Sequence, residues 1–257
     1  MNCKICENSM TVLFTQEVLK KYPVQYFRCT SCDYICTEEP HWLSEAYSRP
    51  INLSDTGLIG RNIDTSNIVS IMLYLLFRKD ARFLDYAGGY GLFTGLMRDI
   101  GYNFYWSDPY TQNLFANGFE DDNETEYEAV TAFEVFEHLA NPIEEIKKMS
   151  ALSSSIIFST EIFSSGTAPK KNWWYYGFNH GQHISFYSVK TLRTIANMFD
   201  MKLYVFDGVY LMTKKNIYKL RYWEVKFLAS YRILNQVLFK RLLTSKTQND
   251  HLYLINQ

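Results

Sequence analysis

The chain has almost no net charge: 26 Lys+Arg stand against 27 Asp+Glu in 257 residues, a formal charge of -1. That lack of excess argues against a general polyanion binder, although a local basic patch is still allowed. Long apolar runs are also missing. The longest strongly apolar stretch, Ile68 to Phe77, contains Ser70 and covers about half of the ~20 residues a membrane-spanning helix needs. The first residues, Met1-Asn-Cys-Lys-Ile-Cys6, lack the apolar stretch of a secretory signal, so a cytoplasmic location is expected. Internal repeats and low-complexity segments are absent as well. What the sequence does have is a core. Hydrophobic residues make up 47% and charged residues 21%, which excludes wholesale disorder. Aromatic residues reach 17%, with 20 Tyr and 18 Phe, so rings must line surfaces as well as cores.

All five cysteines fall in the first 36 residues. Cys3-x2-Cys6 and Cys29-x2-Cys32 form two knuckles separated by 22 residues. In a reducing compartment such pairs suit tetrahedral zinc better than disulfides. Four thiolates leave the ion no open position, so the expected role is structural, closing a module over residues 1–45. Cys36 is left as a spare thiol.

Residues 46–213 alternate between two periodicities. Arg82 to Ala87, Asn103 to Ser107, Glu128 to Phe133, Ser154 to Thr160 and Met201 to Phe206 read as strands. Leu92 to Ile100, Pro142 to Met149 and Ser188 to Phe199 read as helices, with Pro142 where a first helical turn tolerates proline. Alternation of this kind predicts an α/β fold, a mostly parallel sheet with helices on both faces. Ligands of such sheets bind beyond the carboxyl ends of the strands.

The segment Phe83-Leu-Asp-Tyr-Ala-Gly-Gly-Tyr-Gly91 joins the first of these strands to its helix. Its glycines permit a tight turn and close approach of a ligand to the backbone. Asp85 stands at the strand end, and Asp108 ends the next strand, where a carboxylate can accept both hydroxyls of a ribose. No Lys or Arg stands in the turn, which argues against the dinucleotide and P-loop readings.

Leu84-Asp-Tyr-Ala-Gly-Gly-Tyr-Gly91 resembles the first motif of class I S-adenosylmethionine-dependent methyltransferases, usually Asp-x-Gly-x-Gly-x-Gly, with Ala87 in place of the first Gly. Ala129-Val-Thr-Ala-Phe-Glu-Val-Phe-Glu-His-Leu139 resembles the fourth-strand segment of the same family. Gly181-Gln-His-Ile-Ser-Phe-Tyr-Ser188 is similar to a segment of its sugar and cell-envelope subfamily. The resemblance implies a Rossmann-like sheet of seven strands, whose last strand would lie in residues 249–257. It also implies a cofactor site. Asp85 and the backbone of Ala87, Gly88, Gly89 and Gly91 would hold the methionine end, and Asp108 the ribose. Phe119 and Glu120 would flank the adenine, and Glu134 and Val135 would face the sulfonium. Acidic and aromatic walls suit that cation.

Methyl transfer needs an aligned acceptor and in many cases a base. His183 is the favoured candidate, with His180 and His138 as alternatives. The loop Trp173-Trp-Tyr-Tyr-Gly-Phe178 offers either an acceptor wall or a plain hydrophobic cap. Residues 214–248 read as basic and helical, with nine Lys/Arg against one acid, Glu224, between Lys214 and Lys246. Leu220, Trp223, Phe227 and Leu234 would form one apolar face. Three roles fit: a cap on the cleft, a contact between two copies in a homodimer, or a surface for RNA or anionic membrane. The expected function is S-adenosylmethionine-dependent methylation of a small molecule, a sugar or a nucleotide-linked intermediate. RNA methylation and a non-catalytic cofactor-binding module are the rivals.

Overall fold

The computed structural model describes residues 1–48, 55–123, 126–231 and 242–256. Its main sheet is built from β4 (Arg82–Tyr86), β5 (Asn103–Ser107), β6 (Ala129–Phe133), β7 (Ser155–Ser159), β10 (Lys202–Phe206) and β11 (Val209–Thr213), in the order β10-β11-β7-β6-β4-β5. The four strands from β7 to β5 run parallel, β11 runs opposite to them, and β10, antiparallel to β11, runs with the four again. The parallel strands read as continuous apolar runs because both faces are covered. On one face Val130, Phe158 and Tyr210 meet α4 (Pro142–Leu152) and α5 (Val189–Met198). On the other, Phe83, Phe104 and Leu211 meet α2 (Leu58–Leu76), α3 (Leu92–Ile100) and α6 (Lys219–Ala229).

The expected seven strands become six among the described residues. At the β5 edge a single bridge, Trp106 to Glu120, stands where a further strand would lie. The last core strand is β11, not the chain end. It follows β10 through Asp207-Gly208, both at positive φ, the geometry of a two-residue hairpin. The chain end instead forms α7 (Thr247–Leu254). Asp250, Tyr253 and Leu254, at i, i+3 and i+4, lie against Arg98, Phe119 and Gly118 at the edge of the main sheet, the period of a helix. Asp250 binds the buried Arg98 through two hydrogen bonds of 2.7 Å. Tyr253 stacks on Phe119, whose other neighbour is the Arg98 guanidinium at 3.4 Å.

A second sheet runs β1-β2-β3-β9-β8, from β1 (Met10–Val18), β2 (Tyr22–Cys29), β3 (Ile35–Thr37), β9 (Ser185–Ser188) and β8 (Ile162–Phe163). The cysteine-bearing segment is therefore joined to the main body, with Ile35 opposite Phe186 and Cys36 opposite Ser185. The Trp42 indole N–H donates to the Gly181 carbonyl at 2.8 Å, and the Thr191 hydroxyl to the Cys32 carbonyl at 2.7 Å. A short helix α1 (Leu43–Ala46) follows.

Among the described residues of the basic stretch, α6 buries Val225 and Ala229 and leaves Leu220, Trp223 and Phe227 in solvent. None of those described residues lines the cleft below. Leu234 lies outside the described residues, which include no helix long and apolar enough to cross a membrane.

Candidate active site

A cleft of about 1870 Å³ opens over the carboxyl ends of β4, β5 and β6. The turn after β4 forms one wall. Gly91 starts α3 at φ +83°, and an added Cβ there would lie 2.5 Å from Asn113 Oδ1. At Gly88 an added Cβ would lie 2.5 Å from Asp85 Oδ2 and 2.9 Å from Trp106 Cδ1, so only glycine passes between them. Ala87 stands at φ +54°, the left-handed region glycine favours. The substitution is absorbed as local strain while the turn keeps its path.

Asp85 is 2% exposed and accepts hydrogen bonds from Thr131 Oγ1 at 2.9 Å and Thr94 Oγ1 at 3.1 Å. Burial pushes its carboxyl up to about 7 despite those two donors. Asp108 is half-buried. Its Oδ2 accepts from the Gly89 amide at 3.0 Å, and its Oδ1 from the amides of Tyr110 and Thr111 at 2.8 and 3.0 Å. Those bonds fix the carboxylate at the mouth of the turn and still leave lone pairs for a ligand. Trp106 Nε1 and Thr111 Oγ1 both donate to the Gly89 carbonyl, which holds the turn in place.

Asp85, Ala87, Gly88, Gly89, Asp108, Glu134 and Val135 all line the cleft. Gly91 shapes the turn from behind it. Phe119 and Glu120 do not reach it. Phe119 supports α7, and Glu120 accepts from Asn113 Nδ2 at 2.7 Å. Glu134 turns at φ +54° after β6; its Oε1 accepts from Ser159 Oγ at 2.7 Å, and its Oε2 stands 4.0 Å from Arg61 Nε.

The far end of the cleft gathers the three histidines. His183 Nδ1 lies 2.6 Å from the Tyr175 carbonyl, and His138 Nδ1 lies 3.1 Å from the Gln182 carbonyl and 2.9 Å from the Tyr47 hydroxyl. Burial lowers His183 to about 3 and His138 to about 4, so both rings are neutral at pH 7 and poor proton acceptors. The His180 ring packs against Gly177, and its Nδ1 accepts from the Gln182 amide at 3.1 Å. Beside them stands Glu137, which is not among the site residues expected from the sequence. It is fully buried, and burial together with the charge of Glu134 pushes its carboxyl up to about 8. A charged residue in the apolar turn after β6, inside Val135-Phe-Glu-His-Leu139, was the signal that could have marked it.

The aromatic loop divides its work. Tyr175 and Tyr176 fill the core beneath the second sheet, whereas Trp174 is 73% exposed at the rim of the cleft. Away from the cleft, the sulfurs of Cys3, Cys6, Cys29 and Cys32 all lie within 4.8 Å of one another. Cys3 and Cys32 approach to 3.5 Å, as do Cys6 and Cys29, close to the ~3.8 Å edge of a tetrahedron with ~2.3 Å metal–sulfur bonds. Cys36 is buried outside this group.

A family model described as a methyltransferase domain matches residues 62–204, more than half of the chain. The chain belongs to this methyltransferase family. It is a methyltransferase dependent on S-adenosylmethionine. Among curated proteins none matches the sequence. Among solved structures, the plantazolicin methyltransferase BpumL in complex with SAH is 14% identical, with a TM-score of 0.47, covering 79% of this chain and 90% of that one. The magnesium protoporphyrin IX methyltransferase from Synechocystis PCC 6803 is 11% identical, with a TM-score of 0.39 and coverage of 67% and 94%. Human N-acetylserotonin methyltransferase is 10% identical, with a TM-score of 0.42 and coverage of 68% and 66%.

Proposed function

We propose that the cleft methylates a neutral, hydroxyl-bearing small molecule, of which a sugar is one class. The observation that carries the reading is that one cleft joins the glycine turn, with Asp85 and Asp108, to the histidine end. S-Adenosylmethionine supplies a methyl group on a cationic sulfur. Asp85, Gly88 and Gly89 fit its amino-acid end, because a buried carboxylate and bare backbone meet there. Asp108 has lone pairs left for a ribose diol. Glu134 and Val135 face the space between the two ends. Phe119 and Glu120 are not part of this site.

The charge of the cleft bears on the acceptor. Nine acids line it against three bases, Lys20, Arg61 and Lys148; even without Asp85 and Glu137, whose burial favours the proton, seven acids remain, and Arg61 is already bound by Asp55 at 2.8 Å. Such a field repels phosphate, which weighs against nucleotide-linked acceptors and against RNA. The exposed face of Trp174 offers an apolar platform for a sugar ring at the rim. The four cysteines fit zinc in a structural role, holding β2 and the N-terminal loop together beside α5.

Calorimetry with S-adenosylmethionine, then transfer of labelled methyl to panels of neutral sugars and of nucleotide sugars, tests the reading. Binding that is lost in Asp108→Ala and transfer to neutral acceptors are expected. Transfer confined to phosphorylated acceptors would overturn the acceptor assignment, and absence of cofactor binding would overturn the site.

A further inference from the structure

The histidine end of the cleft contains a group that cofactor binding does not employ. Glu137 is 0% exposed, and among the described residues neither of its carboxylate oxygens has a hydrogen-bond partner. The hydroxyls of Tyr175 and Thr160 lie beside it and share one hydrogen bond of 3.2 Å, which leaves one of their two protons to turn toward the carboxylate. A buried carboxylate left in this way is costly unless a proton or a cation meets it. Arg61, the basic residue of the cleft near Glu134, is already held by Asp55.

Two imidazoles stand close to Glu137. One ligand atom from each of Glu137, His138 and His183 falls within 4.8 Å of the others. Both rings meet a backbone carbonyl through Nδ1, at 2.6 Å for His183 and 3.1 Å for His138. A carbonyl can only accept, so it places the proton on Nδ1 and the lone pair on Nε2. That is the outer bonding pattern that orients imidazoles as metal ligands. His180 stays outside the set, since its Nδ1 is the acceptor for the Gln182 amide.

We propose that Glu137, His138 and His183 bind one divalent first-row transition ion at the acceptor end of the cleft. Two imidazoles and one carboxylate suit Mn²⁺, Fe²⁺, Co²⁺ or Zn²⁺, whereas Mg²⁺ and Ca²⁺ prefer oxygen ligands throughout. Three protein ligands leave coordination positions open, in contrast to the closed set of four thiolates. An open position beside the cofactor site takes an oxygen of the acceptor and makes its hydroxyl more acidic. Its proton then passes to water, the oxygen–methyl bond forms, the sulfur–methyl bond breaks, and nothing is oxidised or reduced. This use of the ion rests on the methyltransferase reading, whereas binding of the ion does not.

The test uses the full chain with its zinc content measured by mass spectrometry. Mn²⁺ is the probe, because it favours nitrogen and oxygen ligands and competes poorly for the thiolates. Calorimetry and the loss of the free Mn²⁺ resonance signal should report one equivalent bound. Glu137→Gln and His183→Gln should each weaken Mn²⁺ by on the order of 100-fold while zinc content and the melting transition stay as in the wild type. Failure of the wild-type protein to bind Mn²⁺ or Co²⁺ beyond the zinc already present would overturn the site, whatever the variants do. Unchanged affinity in both variants would overturn the ligand set. Cofactor binding, measured separately without added metal, distinguishes this failure from failure of the cofactor site.

Discussion

Asp85 gives the most quantitative prediction. Its carboxyl is buried at the end of β4, and burial lifts it from an ordinary 3.8 to about 7. The interval corresponds to roughly 4 kcal/mol of differential stabilisation. The sign follows from which state holds the proton. Below the unfolded value of 3.8 both states are protonated and the contribution is fully present; it is lost as pH rises through about 7, because the folded protein must then bury a charge. Between pH 8 and pH 5 the wild type should therefore gain roughly 3 kcal/mol that Asp85→Asn lacks, since Asn has no proton to take up. Other groups titrate in the same range. Glu137, raised to about 8, acts in the same direction, whereas His183 and His138, lowered to about 3 and 4, act in the opposite one. They occur in both proteins and cancel in the difference. Urea unfolding of both proteins at pH 5, 6, 7 and 8 gives that difference directly. Parallel stability curves across the range would refute the argument, because Asp85 would then ionise alike in the folded and unfolded chains.

Ala87→Gly should stabilise the protein by up to about 1 kcal/mol, because glycine removes the φ +54° strain; a lower urea midpoint would contradict this. Gly88→Ala should cost roughly 1–3 kcal/mol and abolish the calorimetric signal of S-adenosylmethionine, since its Cβ would lie 2.5 Å from Asp85 Oδ2. Asp250→Ala leaves the 7%-exposed Arg98 guanidinium without its carboxylate and should cost on the order of 3 kcal/mol, read from denaturant midpoints; Arg98→Met with Asp250→Leu should recover part of it. Zinc removal by a strong chelator should lower the melting temperature and expose the cysteines to a thiol reagent, with metal content followed by mass spectrometry.

The cleft was legible where local chemistry repeats a local geometry. A strand, a glycine turn and a helix, followed by an acid at the next strand end, put Asp85, Gly88, Gly89 and Asp108 together without any knowledge of distant contacts. Phe119 and Glu120 could not be placed in that way. Phe119 stacks on Tyr253 of α7, more than 120 residues later, and Glu120 is drawn to Asn113 and bridged to Trp106. At the chain end Leu252-Tyr-Leu-Ile255 is a short apolar run that fits a last strand as well as a helix, and the Arg98 partner of Asp250 lies far away in sequence. The missing last strand was signalled locally by Asp207-Gly208, the residue pair a tight hairpin requires. The apolar turn around Glu137 hints at its burial, but its grouping with two imidazoles, one of them 46 residues away, depends on the fold.

The joining of β3 to β9 has a consequence for how the molecule is made. Residues 35–37 leave the ribosome about 150 residues ahead of the strand that completes their hydrogen bonding. During synthesis the N-terminal hairpin must wait with an open edge, and at ordinary elongation rates that delay lasts on the order of ten seconds. If the four thiolates take up zinc as proposed, an ion bound during that interval would keep the hairpin closed on itself, a guard against pairing with a stranger until its own partner emerges.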